Sequence, residues 1–324
     1  MRRPRDVADL FPSSCQPRST RVGVEQELLA FDVRTGDAVD IDRVRRAVAG
    51  TPLARTVAFE PGGQVELNLP CAPDAHGLGV TFGAAVSELR MRCADAGVRL
   101  EAAPIDPRPL ERLPLQLRAP RYLAMQEHFD RIGPAGRRMM RQTAGTQVCL
   151  DWWPGIAGLE QWRLLLLAGP FIAAALSRSA GPDSRLATWL AVDPDRTGFD
   201  DRLLAGDDPV SAYGAFATGA AAFVPATDHL STLFPPVRPR GRYLEIRFLD
   251  AQPDELVAPV AGLLAGLLYD DERRRRALAL LAAERHRLGE HWHTAALTPD
   301  ELADRGHALL GLAGVRPLET AGAA

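Results

Sequence analysis

Four carboxylates in two short stretches carry the first chemical signal. Glu25 and Glu27 sit two apart in RVGVEQELLAF, and Glu60 and Glu66 flank a Pro-Gly-Gly break in TVAFEPGGQVELNLP. Side chains alternate across a β-strand, so residues two apart share a face. Gly23, Glu25 and Glu27 then lie together, opposite Val22, Val24 and Leu28. Glu60, Gln64, Glu66 and Asn68 fall together opposite Phe59, Val65 and Leu67, with Pro61-Gly62-Gly63 read as a bulge in one kinked strand over Val57–Leu69. Two more stretches keep the pattern. In RQTAGTQVCLD, Thr143, Gln147, Cys149 and Asp151 oppose Ala144, Thr146, Val148 and Leu150; in GRYLEIRFLD, Glu245 and Arg247 oppose Leu244, Ile246 and Phe248.

Any one of these reads equally well as an ordinary strand with a solvated face. Together they hold five glutamates and one aspartate against one arginine. Like charges at that density repel unless cations sit between them. Hard cations such as Mg²⁺ take oxygen ligands and keep positions open for water and phosphate. The expectation is a sheet face that holds Mg²⁺ against a nucleotide. Further positive charge comes from DSRLATWLAVDPDRTG, where Arg185 and Arg196 read as clamps for phosphate or a substrate carboxylate.

The elements that must position this face follow from periodicity and breakers. Strands are expected at Arg21–Phe31, Val57–Leu69, Val98–Ala103, RQTAGTQVCLDW and GRYLEIRFLD. Helices are expected near Ile41–Ala49, Leu78–Ala96, RYLAMQEHF, Leu159–Arg178 (with a Gly-Pro inside), Val210–Phe223 and through the last third to Leu310. Arg185–Gly198 reads as a loop and LFPPVRPRG as a connection. Strands scattered among helices without βαβ spacing predict an α+β fold with antiparallel or mixed pairing. Residues 1–20 read as a flexible segment ahead of one domain over 21–324.

Composition narrows the function class. The chain has 324 residues, 46% hydrophobic and 24% charged, with a net charge of −3, ordinary for a globular protein. No basic run interleaves with aromatics, which argues against nucleic acid as partner. The apolar runs Leu164–Leu176 and Leu256–Tyr269 are too short to span a bilayer, and the N-terminus lacks the apolar core of a secretory signal. Cys15, Cys71, Cys93 and Cys149 are scattered without a CxxC pair, as free thiols in a reducing cytoplasm would be. All 38 basic residues are arginine. A P-loop lysine or Schiff-base lysine is therefore excluded, and arginine with Mg²⁺ must neutralise any phosphates. The histidines of ERHRLGEHWH do not share one helix face, and no GxSxG elbow or dinucleotide fingerprint is present.

GVEQELLAF, FEPGGQVELNLP, RQTAGTQVCLD, SRLATWLAVDPDRTG and LSTLFPPVRPRGRYLEIRFLDAQPD, in that order over residues 21–298, resemble the plant and bacterial type of glutamate–cysteine ligase. LSTLFPPVRPR and HTAALT are most similar to the ergothioneine-pathway γ-glutamylcysteine ligases of actinobacteria. The resemblance implies a curved antiparallel sheet forming a funnel with helices outside, related to the glutamine synthetase catalytic domain. It implies ATP and Mg²⁺, and a reaction in which ATP phosphorylates the γ-carboxylate of glutamate before an amine, usually that of cysteine, attacks. By position it makes Glu25, Glu27, Glu60, Glu66 and Glu245 metal ligands, with Gln147 a metal or phosphate contact. Arg247 faces phosphate or substrate, and Arg185 and Arg196 hold phosphate and the glutamate carboxylate. Cys149 stands where the family usually has asparagine, a nucleotide or substrate contact, and the link before Leu230 is shorter than in relatives.

The sequence thus predicts an ATP-dependent carboxylate–amine ligase, monomeric or homodimeric. Two alternatives stand beside it: the same chemistry with another amine acceptor in a specialised pathway, and a non-catalytic nucleotide-binding regulator. The dense set of acids speaks against the regulator, since binding alone does not require it.

Overall fold

The computed structural model describes residues 6–314. Seven strands form an antiparallel sheet: β1 (Val22–Asp32), β2 (Val57–Phe59), β3 (Val65–Asn68), β4 (Val98–Glu101), β5 (Gly145–Asp151), β6 (Val237–Pro239) and β7 (Tyr243–Asp250). Their order is β2-β3-β1-β5-β7-β6. The long central strand β1 serves three neighbours. Glu25–Leu28 pair with β3, Leu29–Asp32 with β4, and Val22–Gln26 with β5. The α+β class and antiparallel pairing are as the sequence predicts.

One face of the sheet is apolar and forms the core. Val22, Val24, Leu28, Val65, Leu67, Val148, Leu150, Leu244 and Ile246 are all buried. Against that side pack the helices Ala75–Asp95, Gly155–Ala175 and Asp254–Tyr269. The first begins where Asp74 accepts a hydrogen bond from Gly77 N at 2.8 Å, then buries Leu78, Phe82, Val86, Leu89 and Cys93 at helical spacing. Full burial of each large apolar side chain stabilises by about 1.5–3 kcal/mol. Gln26 and Thr146 are polar exceptions on this side, and they satisfy each other: Thr146 Oγ1 donates to the Gln26 amide oxygen at 2.6 Å.

The opposite face is roofed by shorter helices, Pro120–Asp130, Ala135–Arg141 and Arg185–Leu190. Arg185–Leu190 was expected to be loop. Ser184 caps it by accepting from Ala187 N, and Leu186 and Trp189 bury its inner side. LFPPVRPRG was expected as a connection, but Val237–Pro239 pairs with β7 as an edge strand. Proline is tolerated there because an edge leaves one side of the backbone unpaired.

The kinked strand is in fact a hairpin. β2 pairs with β3, Ala58 opposite Glu66 and Phe59 opposite Val65, and Glu60 N donates to Gln64 O across the turn. Gly63 takes φ +94°, open to glycine without strain. The bulge lies elsewhere: between Thr146 and Val148 of β5 the pairing with β7 slips, so Arg247 and Phe248 both stand opposite Gln147. The start of the chain is tied down from Asp6 on. Leu10 is buried, Gly241 N donates to Leu10 O at 2.7 Å, and Phe11 packs 5.1 Å from the Trp152 ring. Residues 1–5 and 315–324, the outer ends of the expected segments, lie outside the described residues.

Gly62 pins the hairpin turn under the roof, its N–H donating to Met140 O at 3.0 Å. A Cβ there would stand 2.5 Å from the Arg141 Cα and 2.7 Å from its carbonyl oxygen. Gly62→Ala is expected to lower stability by about 1–3 kcal/mol, the scale of overpacking. Urea denaturation checks this, and an unchanged midpoint would show that the turn is free to move.

Candidate active site

Register brings the acids together. Glu27 lies opposite Glu66, Glu25 opposite Asn68 on one side and Gln147 on the other, and Cys149 opposite Glu245. The hairpin adds Glu60 to the same face. Glu25, Glu27, Glu60, Glu66, Gln147 and Glu245 line a cavity of about 240 Å³ whose opposite wall holds Tyr122, Met125, Trp189 and Phe234. Carboxylate oxygens of Glu27, Glu60 and Glu66 lie within 4.8 Å of one another. Glu27 is fixed by two donors, Gly145 N at 2.6 Å and Gln147 Nε2 at 2.9 Å, and Asn68 Nδ2 holds Glu66.

The electrostatics of this cluster are unfavourable without a cation. Burial, then the charge of Glu27, pushes Glu60 up to about 7. Burial followed by Glu245 and Glu66 raises Glu25 to about 8. Glu66 is raised well above the usual carboxylate range by burial, Glu60 and Glu27. Between Glu60 and Glu66 the mutual interaction pulls Glu60 down and pushes Glu66 up, so a proton is favoured on Glu66.

Glu245 is in the opposite condition. Burial opposes its ionisation, but Arg247, Arg238 and Arg240 outweigh burial and hold it down at about 2. Arg240 Nε lies 3.3 Å and Arg238 Nη1 3.4 Å from its carboxylate, and Arg247 binds it closely. Arg247 also donates to Gln147 Oε1 at 2.8 Å and lies over the Trp189 ring. Arg238 and Arg240 lie in a proline-containing stretch that reads as a connection but forms the edge strand. Their signal is the alternation in VRPR, which puts both on the face of Glu245.

The structure brings Glu25, Glu27, Glu60, Glu66, Gln147, Glu245 and Arg247 to one cavity, and leaves three expected residues outside it. Arg185 is buried behind the wall, over Gly145. It donates to Arg247 O at 3.0 Å, and its guanidinium carbon lies 5.1 Å from the Trp189 ring centroid. Arg196 is wholly buried and bonded to Asp193, Thr232 and the Ala221 carbonyl. Both arginines therefore brace protein rather than face open space. Cys149 lines a second cavity of about 430 Å³ with Gly23, Cys71 and Tyr243, which adjoins the first at Glu25 and Arg240. Burial, then Glu25 and Glu245, raises its thiol well above the ordinary range, so it is neutral and a poor nucleophile. His291 is buried and paired with Glu284 at 2.7 Å, outside the residues lining the cavity.

A family model described as glutamate-cysteine ligase family 2 (GCS2) matches residues 21–298. The chain belongs to that family. Glutamate–cysteine ligase EgtA of Mycobacterium tuberculosis strain H37Rv is 32% identical, over 88% of this chain and 75% of that protein. The chloroplastic glutamate–cysteine ligase of Arabidopsis thaliana is 24% identical, over 86% of this chain and 65% of that one. Among solved structures, a bifunctional glutathione synthetase from Pasteurella multocida superposes with a TM-score of 0.51 at 12% identity. The match covers 92% of this chain and 46% of that one, and it speaks for the fold alone.

The residues present fit what this family implies. Glu27, Glu60 and Glu66 form an all-oxygen donor set suited to Mg²⁺. The Nε atoms of Arg238 and Arg247 are buried without a hydrogen-bond partner, donors that a phosphate or carboxylate oxygen would satisfy. No helix among the described residues is long and apolar enough to cross a membrane.

The acid cluster has a consequence for stability. Between the ordinary glutamate value of 4.5 and about 8, the unfolded chain releases protons that folded Glu25 retains. The folded state binds more protons, so stability falls as pH rises. Asp32 and Glu245, held at about 2, contribute fully throughout that window and do not offset the fall. Metal-free protein is expected to melt at progressively lower temperature from about pH 5 to about pH 8, with Mg²⁺ flattening the slope. Scanning calorimetry with and without chelator checks it; a slope of opposite sign, or none that Mg²⁺ alters, would contradict the cluster's charge state.

Proposed function

We propose that this chain catalyses ATP-dependent formation of a γ-glutamyl amide from L-glutamate and an amine, with L-cysteine the default acceptor, through γ-glutamyl phosphate. The observation that carries the reading is a cavity with a three-carboxylate oxygen cluster on its floor and the arginines of Glu245 beside it. Transfer between two anions is mainly a problem of positioning and charge, and both halves of this face address it.

Bound Mg²⁺ would supply neutralisation and polarisation of phosphoryl oxygens; Glu27, Glu60 and Glu66 would hold it, with Glu25 and Gln147 on the same face. Glu245 serves chiefly to hold Arg238, Arg240 and Arg247, since its charge is already spent on them. Arg247 and Arg238 offer their unmet N–H groups to the transferring phosphate and the glutamate carboxylate. The nucleoside end of ATP occupies the second cavity, with Tyr243 and Leu69 on its walls, Cys149 on its floor and Arg240 at the junction. Arg185 supports Arg247 from behind. One catalytic domain over residues 21–324 and a reducing cytoplasm complete the reading; Cys15, Cys71, Cys93 and Cys149 are all free thiols.

ADP release by the purified protein with ATP, Mg²⁺ and L-glutamate tests the reading, with an amine panel led by L-cysteine and mass spectrometry of the product. Cysteine-dependent release with a γ-glutamylcysteine product is expected. Dependence on another amine would replace the acceptor alone, and no release with any amine would overturn the ligase. Glu60→Gln is expected to keep the fold and lose about 100-fold or more in turnover, the scale of removing one charge-stabilising group. Cys149→Phe is expected to raise KM for ATP by about tenfold, with KM for glutamate nearly unchanged, because it fills the second cavity alone.

A further inference from the structure

Two of the segments that close the cavity on the side away from the sheet meet each other. Arg121, Tyr122 and Met125 come from the helix Pro120–Asp130, and Ser231 and Phe234 from the stretch after Leu230. They meet at a cluster that lies outside the cavity. The His128 ring stacks on Phe223 at 4.3 Å and 21°. The Arg196 guanidinium lies over Phe223 at 4.5 Å. Asp193 joins the two side chains, 3.2 Å from His128 Nε2 and 3.3 Å from Arg196 Nε. Arg196 then reaches Thr232 Oγ1 at 2.7 Å and binds the Ala221 carbonyl, while its own carbonyl accepts from Phe234 N at 2.9 Å.

His128 stands one turn beyond Met125 on the roof helix, and Thr232 lies between Ser231 and Phe234. A displacement at the cluster therefore moves cavity-lining side chains of both segments. We infer that Asp193, His128, Phe223 and Arg196 are positioning residues that hold the roof shut against water during the life of the acyl phosphate. This rests on the ligase reading above. The acyl phosphate has two fates. Attack by the amine forms the C–N bond, breaks the C–O bond to phosphate and releases a proton, giving amide and phosphate. Attack by water breaks the same C–O bond and returns glutamate and phosphate, so ATP is consumed without product. A roof that excludes water selects the first fate.

Phe223 is half-buried and lines neither cavity, so Phe223→Ala opens the anchor with less damage than losing buried Arg196. The experiment compares wild type, Phe223→Ala and Phe223→Tyr for ADP released per γ-glutamyl amide formed. A ratio near one is expected for wild type and for Phe223→Tyr, which keeps the stack. In Phe223→Ala the ratio is expected to rise about threefold or more as water competes. Hydrogen exchange gives a readout independent of activity: residues 120–130 and 226–234 are expected to exchange together about tenfold faster in Phe223→Ala, with the sheet unaffected. ADP and amide falling in parallel at a ratio of one would overturn the proposal, as a purely structural role predicts. Unchanged exchange in the two segments would overturn it whatever the reaction. Wild type inert with every amine, but with exchange as expected, would instead remove the ligase reading and the water-excluding role while leaving the anchor.

Discussion

Repulsion among Glu25, Glu27, Glu60 and Glu66 is the constraint on which the rest of the structure turns. Two unit charges 4 Å apart interact by about 4 kcal/mol at the effective dielectric of a partly enclosed site. Several such pairs on one face would consume a large part of a domain's net stability. Without metal, burial and the neighbouring carboxylates raise Glu25, Glu60 and Glu66, which favours their protonated forms. The apolar face compensates: the same strands that carry the acids bury Val24, Leu28, Val65, Leu67 and Val148 on the other side. Alternation is therefore both the cause of the problem and its remedy. A strand cannot present Glu25 and Glu27 to one face without offering Val24 and Leu28 to the other.

The face is divided by charge. Around Glu27, Glu60 and Glu66 negative charge is in excess, while around Glu245 three guanidiniums exceed one carboxylate. Such an arrangement selects a ligand with both cationic and anionic demands, and a metal-bound polyphosphate is one. It also explains why Glu245 departs from its neighbours in ionisation although all are enclosed. Burial acts on each; the sign of the nearest partners decides the outcome. A chain without lysine builds its positive wall from planar forks, three of which converge on the one carboxylate of Glu245.

What the sequence made legible follows from period two. The face of Glu25, Glu27, Glu66, Gln147, Cys149 and Glu245 was readable because each lies within an uninterrupted alternating run. Glu60 was placed on that face by the wrong route: a hairpin and a kinked strand give the same parity across Pro61-Gly62-Gly63. The β7 bulge could not be read, because it depends on how β5 and β7 pair and not on either strand alone. Arg238 and Arg240 were hidden by prolines that usually mark connections, although an edge strand accepts them. Arg185 and Arg196 show the limit of assigning roles by residue type. An arginine among aspartates reads as an anion clamp, whereas burial against carbonyls and aromatic rings, which the sequence does not display, makes it a brace.

The bulge has a consequence beyond register. Beyond it Asp250, rather than Leu249, stands opposite Gly145, on the side of the acids, and Gly145, lacking a side chain, leaves room for the Arg185 guanidinium. Arg185 and Arg247 then both lie against Trp189, a roof residue, with Arg185 also bound to the Arg247 backbone. The sheet and the roof are thus coupled through one indole ring at the point where the arginine wall begins. A shift of the helix Arg185–Leu190 cannot leave Arg247 where it is, and Arg247 cannot move without releasing Glu245. The floor of the site is set by strand register, but the direction of its principal cation is set by the helix above it.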